Sequence, residues 1–167
     1  LAGNADFCST TLEVQNNAGN CSNSDLLSVA GNLKTELQEG IGDGNVLING
    51  TWSGSAPFFQ SDLTDNNGHF EKLHIIPVTS DYTIKPTKDD NPLNGVTTYD
   101  LVLISQHILG IASLGSAYKM IAADANKSNS ITTFDIVELR KLILGIYNEL
   151  PDNTSWRFVE KAYDFPN

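Results

Sequence analysis

Asn94-Gly-Val-Thr-Thr-Tyr-Asp100-Leu-Val-Leu-Ile-Ser-Gln-His-Ile-Leu-Gly110-Ile recurs 35 residues later as Asn129-Ser-Ile-Thr-Thr-Phe-Asp135-Ile-Val-Glu-Leu-Arg-Lys-Leu-Ile-Leu-Gly145-Ile. Half of the aligned positions are identical, and most of the others exchange similar residues. Each copy passes from a polar loop through an aspartate into an amphipathic segment that stops at a glycine. The repeat therefore predicts two equivalent loop–helix units in the C-terminal half of the chain.

The loop before the second helix carries oxygen-bearing side chains at alternate positions, as an EF-hand-type calcium loop does. Positions 1, 3, 5, 7, 9 and 12 of such a loop are Asp124, Asn126, Ser128, Ser130, Thr132 and Asp135. Ca²⁺ takes about six to eight oxygens, which this set supplies together with one backbone carbonyl and a water. Asn129 stands at the sharp turn, where asparagine tolerates a left-handed backbone. The alternative is a polar turn with Asp135 in the first turn of a helix.

The loop before the first helix matches the same pattern less completely. Positions 1, 3, 5, 9 and 12 are Asp89, Asn91, Leu93, Thr97 and Asp100. Leu93 has no side-chain oxygen, so its backbone carbonyl or a water has to take that place. We predict Ca²⁺ as the cofactor of both loops, with weaker binding in the first.

Composition and charge exclude several classes of function. The formal net charge of −10 disfavours nucleic acid as a partner, because its phosphates would be repelled. No apolar run approaches the length of a membrane span. No nucleophile–base pair, phosphate-binding loop or carboxylate pair stands out, so we do not expect an enzyme.

Residues 25–87 have the pattern of short β-strands. Apolar or small residues alternate with mostly polar neighbours at Leu27, Val29, Gly31, Leu33 and Thr35. Asp65-Asn-Asn-Gly68 is a strong hairpin signal, because Asn and Gly accept positive φ. Such strands predict a β-sandwich. We expect its aromatic residues to lie in the core: Trp52, Phe58, Phe59, Phe70 and Tyr82.

The two cysteines, Cys8 and Cys21, flank a strand-like run and an Asn/Gly turn. A disulfide between them would close a small hairpin and stabilise it by roughly 3 kcal/mol. A catalytic thiol would need a nearby histidine, and zinc would need more ligands than these. We therefore predict the disulfide, and with it an extracellular location.

The segment that follows Pro151 alternates apolar and polar residues and reads as a further strand. It either folds back on the sandwich or adds to a neighbouring subunit, with Trp156 and Phe158 among the residues that set the register. The expected organisation is an N-terminal extension with the disulfide hairpin, the β-sandwich, the calcium-binding module and a C-terminal strand or linker. Their bounds are 1–24, 25–87, 88–150 and 151–167.

Residues 88–147 resemble the dockerin module, in which two calcium loops end in Asp and each following helix closes on Ile-Leu-Gly. The resemblance implies a small α-helical EF-hand pair whose two halves are equivalent by pseudo-twofold symmetry. Dockerins bind cohesin domains through residues near loop positions 10 and 11. Those positions are Thr98, Tyr99, Thr133 and Phe134.

The run Thr64-Asp-Asn-Asn-Gly68-His-Phe70, followed by Asp81-Tyr82-Thr-Ile-Lys-Pro86, resembles carboxypeptidase-regulatory-like and collagen-adhesin B-type repeats. This resemblance implies an immunoglobulin-like (prealbumin-like) β-sandwich, a fold used in stalks and spacers. A sandwich of this kind next to a dockerin-like module is similar to repeats in large secreted proteins of Bacteroidota-type bacteria.

Two functions are expected from these features. The first is a non-enzymatic structural module, a calcium-stabilised building block of a bacterial surface fibre, adhesin or stalk that assembles head to tail. In that case residues 1–20 or 154–166 add as a strand to a neighbour. The second is a binding module that anchors its protein to a cohesin-like partner. A free surface at Tyr99 and Phe134 favours a partner, whereas burial of that surface on the sandwich favours the structural role.

Overall fold

The computed structural model describes residues 8–15, 26–51, 56–77 and 81–165. This part of the chain is mixed β and α, with sheets of mainly antiparallel strands and three helices. It divides into two compact units. The sheet unit contains the described residues of Cys8–Thr87 together with Phe158–Ala162, and the helical unit contains Lys88–Arg157 together with residues 163–165.

The sheet unit has seven described strands in two sheets. They are β1 (Cys8–Gln15), β2 (Leu26–Lys34), β3 (Asn45–Thr51), β4 (Phe58–Leu63), β5 (His69–Pro77), β6 (Asp81–Thr87) and β7 (Phe158–Glu160). One sheet has the order β5-β2-β1-β7 and the other β4-β3-β6. All pairings are antiparallel except that of β1 with β7.

Alternate residues of the central strands form the core of the sheet unit. On β2, Val29 and Leu33 are buried, and on β3 Val46 and Ile48 are buried. The period-2 pattern along β2 therefore predicted its buried face correctly. Phe70 of β5 completes this set with 1% of its surface exposed.

One expected core aromatic lies at the surface instead. Phe59 is 68% exposed, because it pairs with Asn49 on the outward face of β4. The neighbouring Phe58 is half-buried and lies directly over Gly50, where a Cβ atom would collide with its ring. Gly50 is thus required by the packing of Phe58. Trp52 lies outside the described residues.

The hairpin turn between β4 and β5 is held by Asp65. Its Oδ1 accepts hydrogen bonds from the backbone N–H groups of Asn67, at 2.8 Å, and His69, at 2.9 Å. Gly68 has a φ of 77°, and a Cβ at this position would collide with the Leu33 carbonyl oxygen. The hydrogen bond from the His69 backbone is the main reason that the pKa of Asp65 is lowered from its ordinary value.

The helical unit repeats its local structure as closely as its sequence. Its helices are α1 (Thr98–Ile108), α2 (Ala117–Ala123) and α3 (Thr133–Ile143). α1 and α3 each begin with a Thr–Asp capping box and end in αR at a leucine, followed by a glycine at φ 68° or 69°. In α1 the N–H of Ile111 reaches Gln106 O and that of Gly110 reaches His107 O, which is a Schellman ending.

The core of the helical unit combines residues of the two repeats with residues of the segment between them. Its buried members are Leu101, Ile104, Leu114, Ala123, Ala125 and Leu139. Val96 and Ile131, which occupy equivalent positions in the two repeats, both pack against this cluster. The two loops are thereby attached to one hydrophobic core. None of the helices in the described ranges is long and apolar enough to cross a membrane.

Part of the C-terminal segment pairs within its own chain. Phe158, Val159 and Glu160 form β7 and run parallel to Cys8, Ser9 and Thr10 of β1. Two alternatives were expected for residues 154–166: pairing within the same chain or with a neighbouring subunit. Residues 158–160 pair with a strand of the same chain. β7 has three residues and is therefore shorter than the strand expected from the alternation of apolar and polar residues over 154–166. The predicted Cys8–Cys21 disulfide involves a residue outside the described ranges and stays a prediction.

Asp65→Asn tests how the charge on Asp65 contributes to the hairpin. Asparagine keeps an acceptor oxygen but not the charge, so we expect a less stable sheet unit at pH 7. Because the folded pKa is lowered, the carboxylate stabilises the fold above its unfolded pKa of about 3.9, and this contribution disappears as pH falls through the folded value. Urea unfolding at several pH values from 7 to 2.5 measures the effect. Asp81→Asn controls for net charge, and a pH-independent difference between wild type and Asp65→Asn would contradict the expectation.

Candidate metal centre

The loop between α2 and α3 places two aspartates at helix ends. Asp124 is the residue that ends α2, and Asp135 is the third residue of α3. Their exposed fractions are 5% and 0%, so both carboxylates are removed from bulk water. The backbone of the two helices therefore brings the first and last positions of the predicted loop into the protein interior.

Oxygen atoms from three predicted ligand positions lie next to one another in this loop. Ser128 Oγ is 3.4 Å from Asp124 Oδ1, and it is 3.1 Å from both the carbonyl and the hydroxyl oxygen of Ser130. Ca²⁺ binds oxygens at about 2.3–2.6 Å, which separates adjacent ligands by roughly 3 Å. The oxygens of positions 1, 5 and 7 are thus hydrogen-bonded to one another, at distances compatible with a shared calcium ion.

The backbone of the loop wraps around the Asp124 carboxylate. Oδ1 accepts a hydrogen bond from the N–H of Ser128, at 2.8 Å, and Oδ2 accepts one from the N–H of Asn129, at 2.9 Å. Asn129 adopts the left-handed conformation expected at the sharp turn, with a φ of 64°. Asn126 Oδ1 accepts a second bond from the Ser128 N–H, at 3.1 Å. These bonds hold the loop closed around one negative charge.

Asp135 has a structural role that needs no metal. Its Oδ2 accepts the backbone N–H of Thr132 at 2.7 Å and the Thr132 hydroxyl at 3.2 Å, which completes the capping box of α3. Its Oδ1 accepts the N–H of Asn126 at 3.2 Å. The capping role explains why an acidic residue stands here, and Asp100, which has the same role in the first repeat, is buried as well.

The charge balance of the loop favours a bound cation. Among the described residues, Asp135 has no salt bridge, and Asp124 has one with Arg157, whose Nη1 is 3.7 Å from Asp124 Oδ2. Two buried carboxylates therefore share one partial counter-charge, and burying a charge without compensation is costly. Asp124, Asp135, Ser128 and Ser130 fit a hard cation that prefers oxygen ligands.

The first loop repeats the helix cap but not the rest of the site. Asp100 is buried and forms the capping box of α1 with Thr97. Asp89, however, is exposed, and its Oδ1 accepts the backbone N–H of Ser155 at 2.8 Å. Leu93 is exposed, and the left-handed residues are Asn91 and Gly95, at positions 3 and 7. The two loops thus differ in backbone path as well as in ligands.

Clusters with three or more His, Cys, Asp or Glu side chains around a possible metal do not occur in the described ranges. This agrees with the composition of the second loop, which has two carboxylates and otherwise amide, hydroxyl and carbonyl oxygens. Calcium binding by this loop stays a prediction from its residues and their geometry.

Three residues that the sequence analysis did not assign to the site contact the loops. The side chain of Asn153 donates to Asp124 O at 3.1 Å, Ser155 contacts Asp89 and Asp90, and Arg157 lies beside Asp124. They come from the segment that the alternation pattern assigned to a strand. The loop spacing contains no signal for them, because they are distant in sequence.

The residues proposed for partner binding fall into two groups. Thr98, Tyr99, Thr133 and Phe134 are all exposed, whereas Trp156 and Phe158 are half-buried. Tyr99 and Phe134 retain 64% and 71% of their surface. The first group is therefore accessible at equivalent positions of the two repeats.

Comparisons of the chain with protein-family models, curated proteins and solved structures find no match.

Asp135→Asn separates calcium binding from helix capping. The amide oxygen can still accept the hydrogen bonds from Thr132, but the charge is removed. If Asp135 only caps the helix, the calcium affinity should therefore change little. If Asp135 is a calcium ligand, the substitution should lower the calcium affinity by at least the roughly 10–100-fold that follows the loss of a residue that hydrogen-bonds to a ligand. Calorimetric titration with Ca²⁺ measures it, with Asp100→Asn as the matched variant in the first loop, where we expect a smaller loss. Equal calcium uptake by wild type and Asp135→Asn would exclude Asp135 as a ligand.

Proposed function

We propose that the protein is a non-enzymatic, extracellular structural module: a calcium-stabilised building block of a bacterial surface fibre, adhesin or stalk. In this proposal the sheet unit is an immunoglobulin-like (prealbumin-like) β-sandwich and the helical unit is a dockerin-like EF-hand pair. The observation that carries the proposal is the burial of Asp124 and Asp135 in a loop lined with further oxygens.

Calcium would stabilise the helical unit by binding only its folded form. At a free concentration about one hundred times Kd, such binding adds about 2.7 kcal/mol to the free energy of unfolding. The same ion would offset part of the −10 net charge. Both effects require the high calcium concentration found outside the cell. The predicted Cys8–Cys21 disulfide also favours an extracellular location, because disulfides persist in oxidising surroundings.

Head-to-tail assembly is supported by the sheet edges. β7 pairs with β1 over three residues only, and β4 and β6 end the other described sheet. Edge strands offer unpaired backbone groups to an extended segment. A terminal segment of one copy that extends or replaces the β1–β7 pairing in the next copy would make a heterologous contact, which propagates into a filament.

Removal of residues 158–167 tests this assembly while leaving the loop contacts of Asn153, Ser155 and Arg157 in place. We expect the truncated protein to form no filaments in calcium, because β7 and the residues after it are lost. Electron microscopy and light scattering at matched concentration provide the measurement. The substitution Val159→Thr keeps the strand and serves as a control that should assemble normally. Filaments of normal length from the truncated protein would show that this segment does not join subunits.

A second candidate function, cohesin-type docking, is favoured by the exposed apolar residues of the repeat. On α1 and the residue after it, Tyr99, Val102 and Leu109 are exposed at helical spacing. The equivalent residues of the second repeat are Phe134, Val137 and Leu144, and they are exposed as well. Contiguous exposed apolar residues commonly mark an interaction surface. The dockerin resemblance makes a cohesin-like domain the expected partner.

The duplication gives this candidate a distinctive mutational pattern. If either half can dock, Tyr99→Ser or Phe134→Ser alone should retain cohesin binding. The double variant should bind roughly thirtyfold more weakly, because either docking mode then lacks an aromatic anchor of about 2 kcal/mol. Surface plasmon resonance against immobilised cohesin domains measures this. Exposed Leu37→Ser in the sheet unit is the control. Absence of binding by wild type would remove this candidate and leave the structural proposal intact.

A further inference from the structure

The segment that follows Pro151 is fixed to both loops of the helical unit. The Ser155 backbone donates to Asp89 Oδ1 at 2.8 Å, and its hydroxyl donates to Asp90 O at 2.9 Å. Asn153 Nδ2 donates to Asp124 O at 3.1 Å. Ser155 is itself buried. Residues 153–157, called the clasp below, are therefore held at the first position of each loop.

The clasp brings a fixed positive charge to the second loop. Arg157 Nη1 lies 3.7 Å from Asp124 Oδ2 and donates to the Ile121 carbonyl oxygen, at 3.4 Å. This carbonyl belongs to the last turn of α2, where a cation also interacts favourably with the helix dipole. The Asp124 side chain is only 7% exposed, so solvent screens this pair less than a surface salt bridge.

We propose that Arg157 is a built-in counter-cation of the second loop, which competes with Ca²⁺ for the charge of Asp124 and so sets the calcium affinity. This inference rests on the proposed calcium site. Without metal, the guanidinium partly neutralises Asp124 and stabilises the loop. With metal bound, the same guanidinium lies close to a dication that shares the carboxylate, and the two positive charges repel.

Competition and a simple structural role predict opposite changes in calcium affinity when Arg157 is replaced. A residue that only holds the loop in shape lowers calcium affinity when it is removed, because the loop becomes less ordered. A competing charge raises calcium affinity when it is removed. The metal-free protein should meanwhile become less stable, since Asp124 loses its nearest cation.

Arg157→Gln tests the proposal in the full-length chain, because glutamine keeps hydrogen-bonding capacity and removes the charge. We expect calcium affinity of the second loop to rise about tenfold, since removal of a nearby charge at a partly buried site is a substantial electrostatic change. Arg157→Lys retains the charge and should bind calcium as wild type does. Arg140→Gln, an exposed position on α3, removes the same charge elsewhere and should have little effect.

Calorimetric titration of wild type and the three variants gives the affinities, and thermal unfolding with and without Ca²⁺ gives the stability of each form. The rise should vanish when Arg157→Gln/Asp124→Asn is compared with Asp124→Asn alone, because the charge for which Arg157 competes is then absent. Unchanged or weaker calcium binding by Arg157→Gln overturns the role of Arg157 while leaving the proposed calcium site intact. No calcium uptake by wild type overturns both. If Arg157→Gln does not fold, Arg157→Met, which keeps an unbranched side chain without the charge, takes its place: tighter calcium binding supports the proposal, and unchanged or weaker binding overturns it.

Discussion

Burial of the Asp124 and Asp135 carboxylates is the constraint on which the helical unit depends. Both charges are fixed by the same elements that make the unit fold, since one ends α2 and the other caps α3. Hydrogen bonds from backbone N–H groups orient the oxygens, but they do not neutralise two buried charges. The N-terminal dipole of α3 favours the charge of Asp135, and Arg157 lies beside that of Asp124.

Much of the local structure could be predicted because it is encoded at short range. The Thr–Asp capping boxes and the glycines after α1 and α3 mark helix ends that depend on neighbouring residues only. The alternation along β2 likewise identified its buried face. Phe59 shows where this reasoning stops: its side chain faces outward because β4 pairs in one register with β3, and a single-residue slip would reverse it.

For the second loop, the sequence identified only those neighbouring residues that belong to the loop itself. Spacing alone assigned the oxygens of Asp124, Ser128 and Ser130, which the structure brings together. Arg157 approaches Asp124 through the path of the clasp, and no periodic pattern links residues so distant in sequence. Asp89 illustrates the reverse case. It occupies the right position in the loop, yet its carboxylate accepts the N–H of Ser155, so tertiary contact gives it a different role.

The two halves of the repeat are alike in their helices and exposed apolar residues, but they differ in the loop positions that contact the clasp. Capping boxes, helix lengths and exposed apolar residues are the same in both halves, whereas the first positions of the loops are used differently. Asp89 serves as an anchor for Ser155, and Asp124 is a buried charge beside Arg157. A duplicated unit whose loops were interchangeable would not need this difference. In the proposed function this asymmetry divides the roles of the loops: the first fixes the clasp, and the second would respond to the cation.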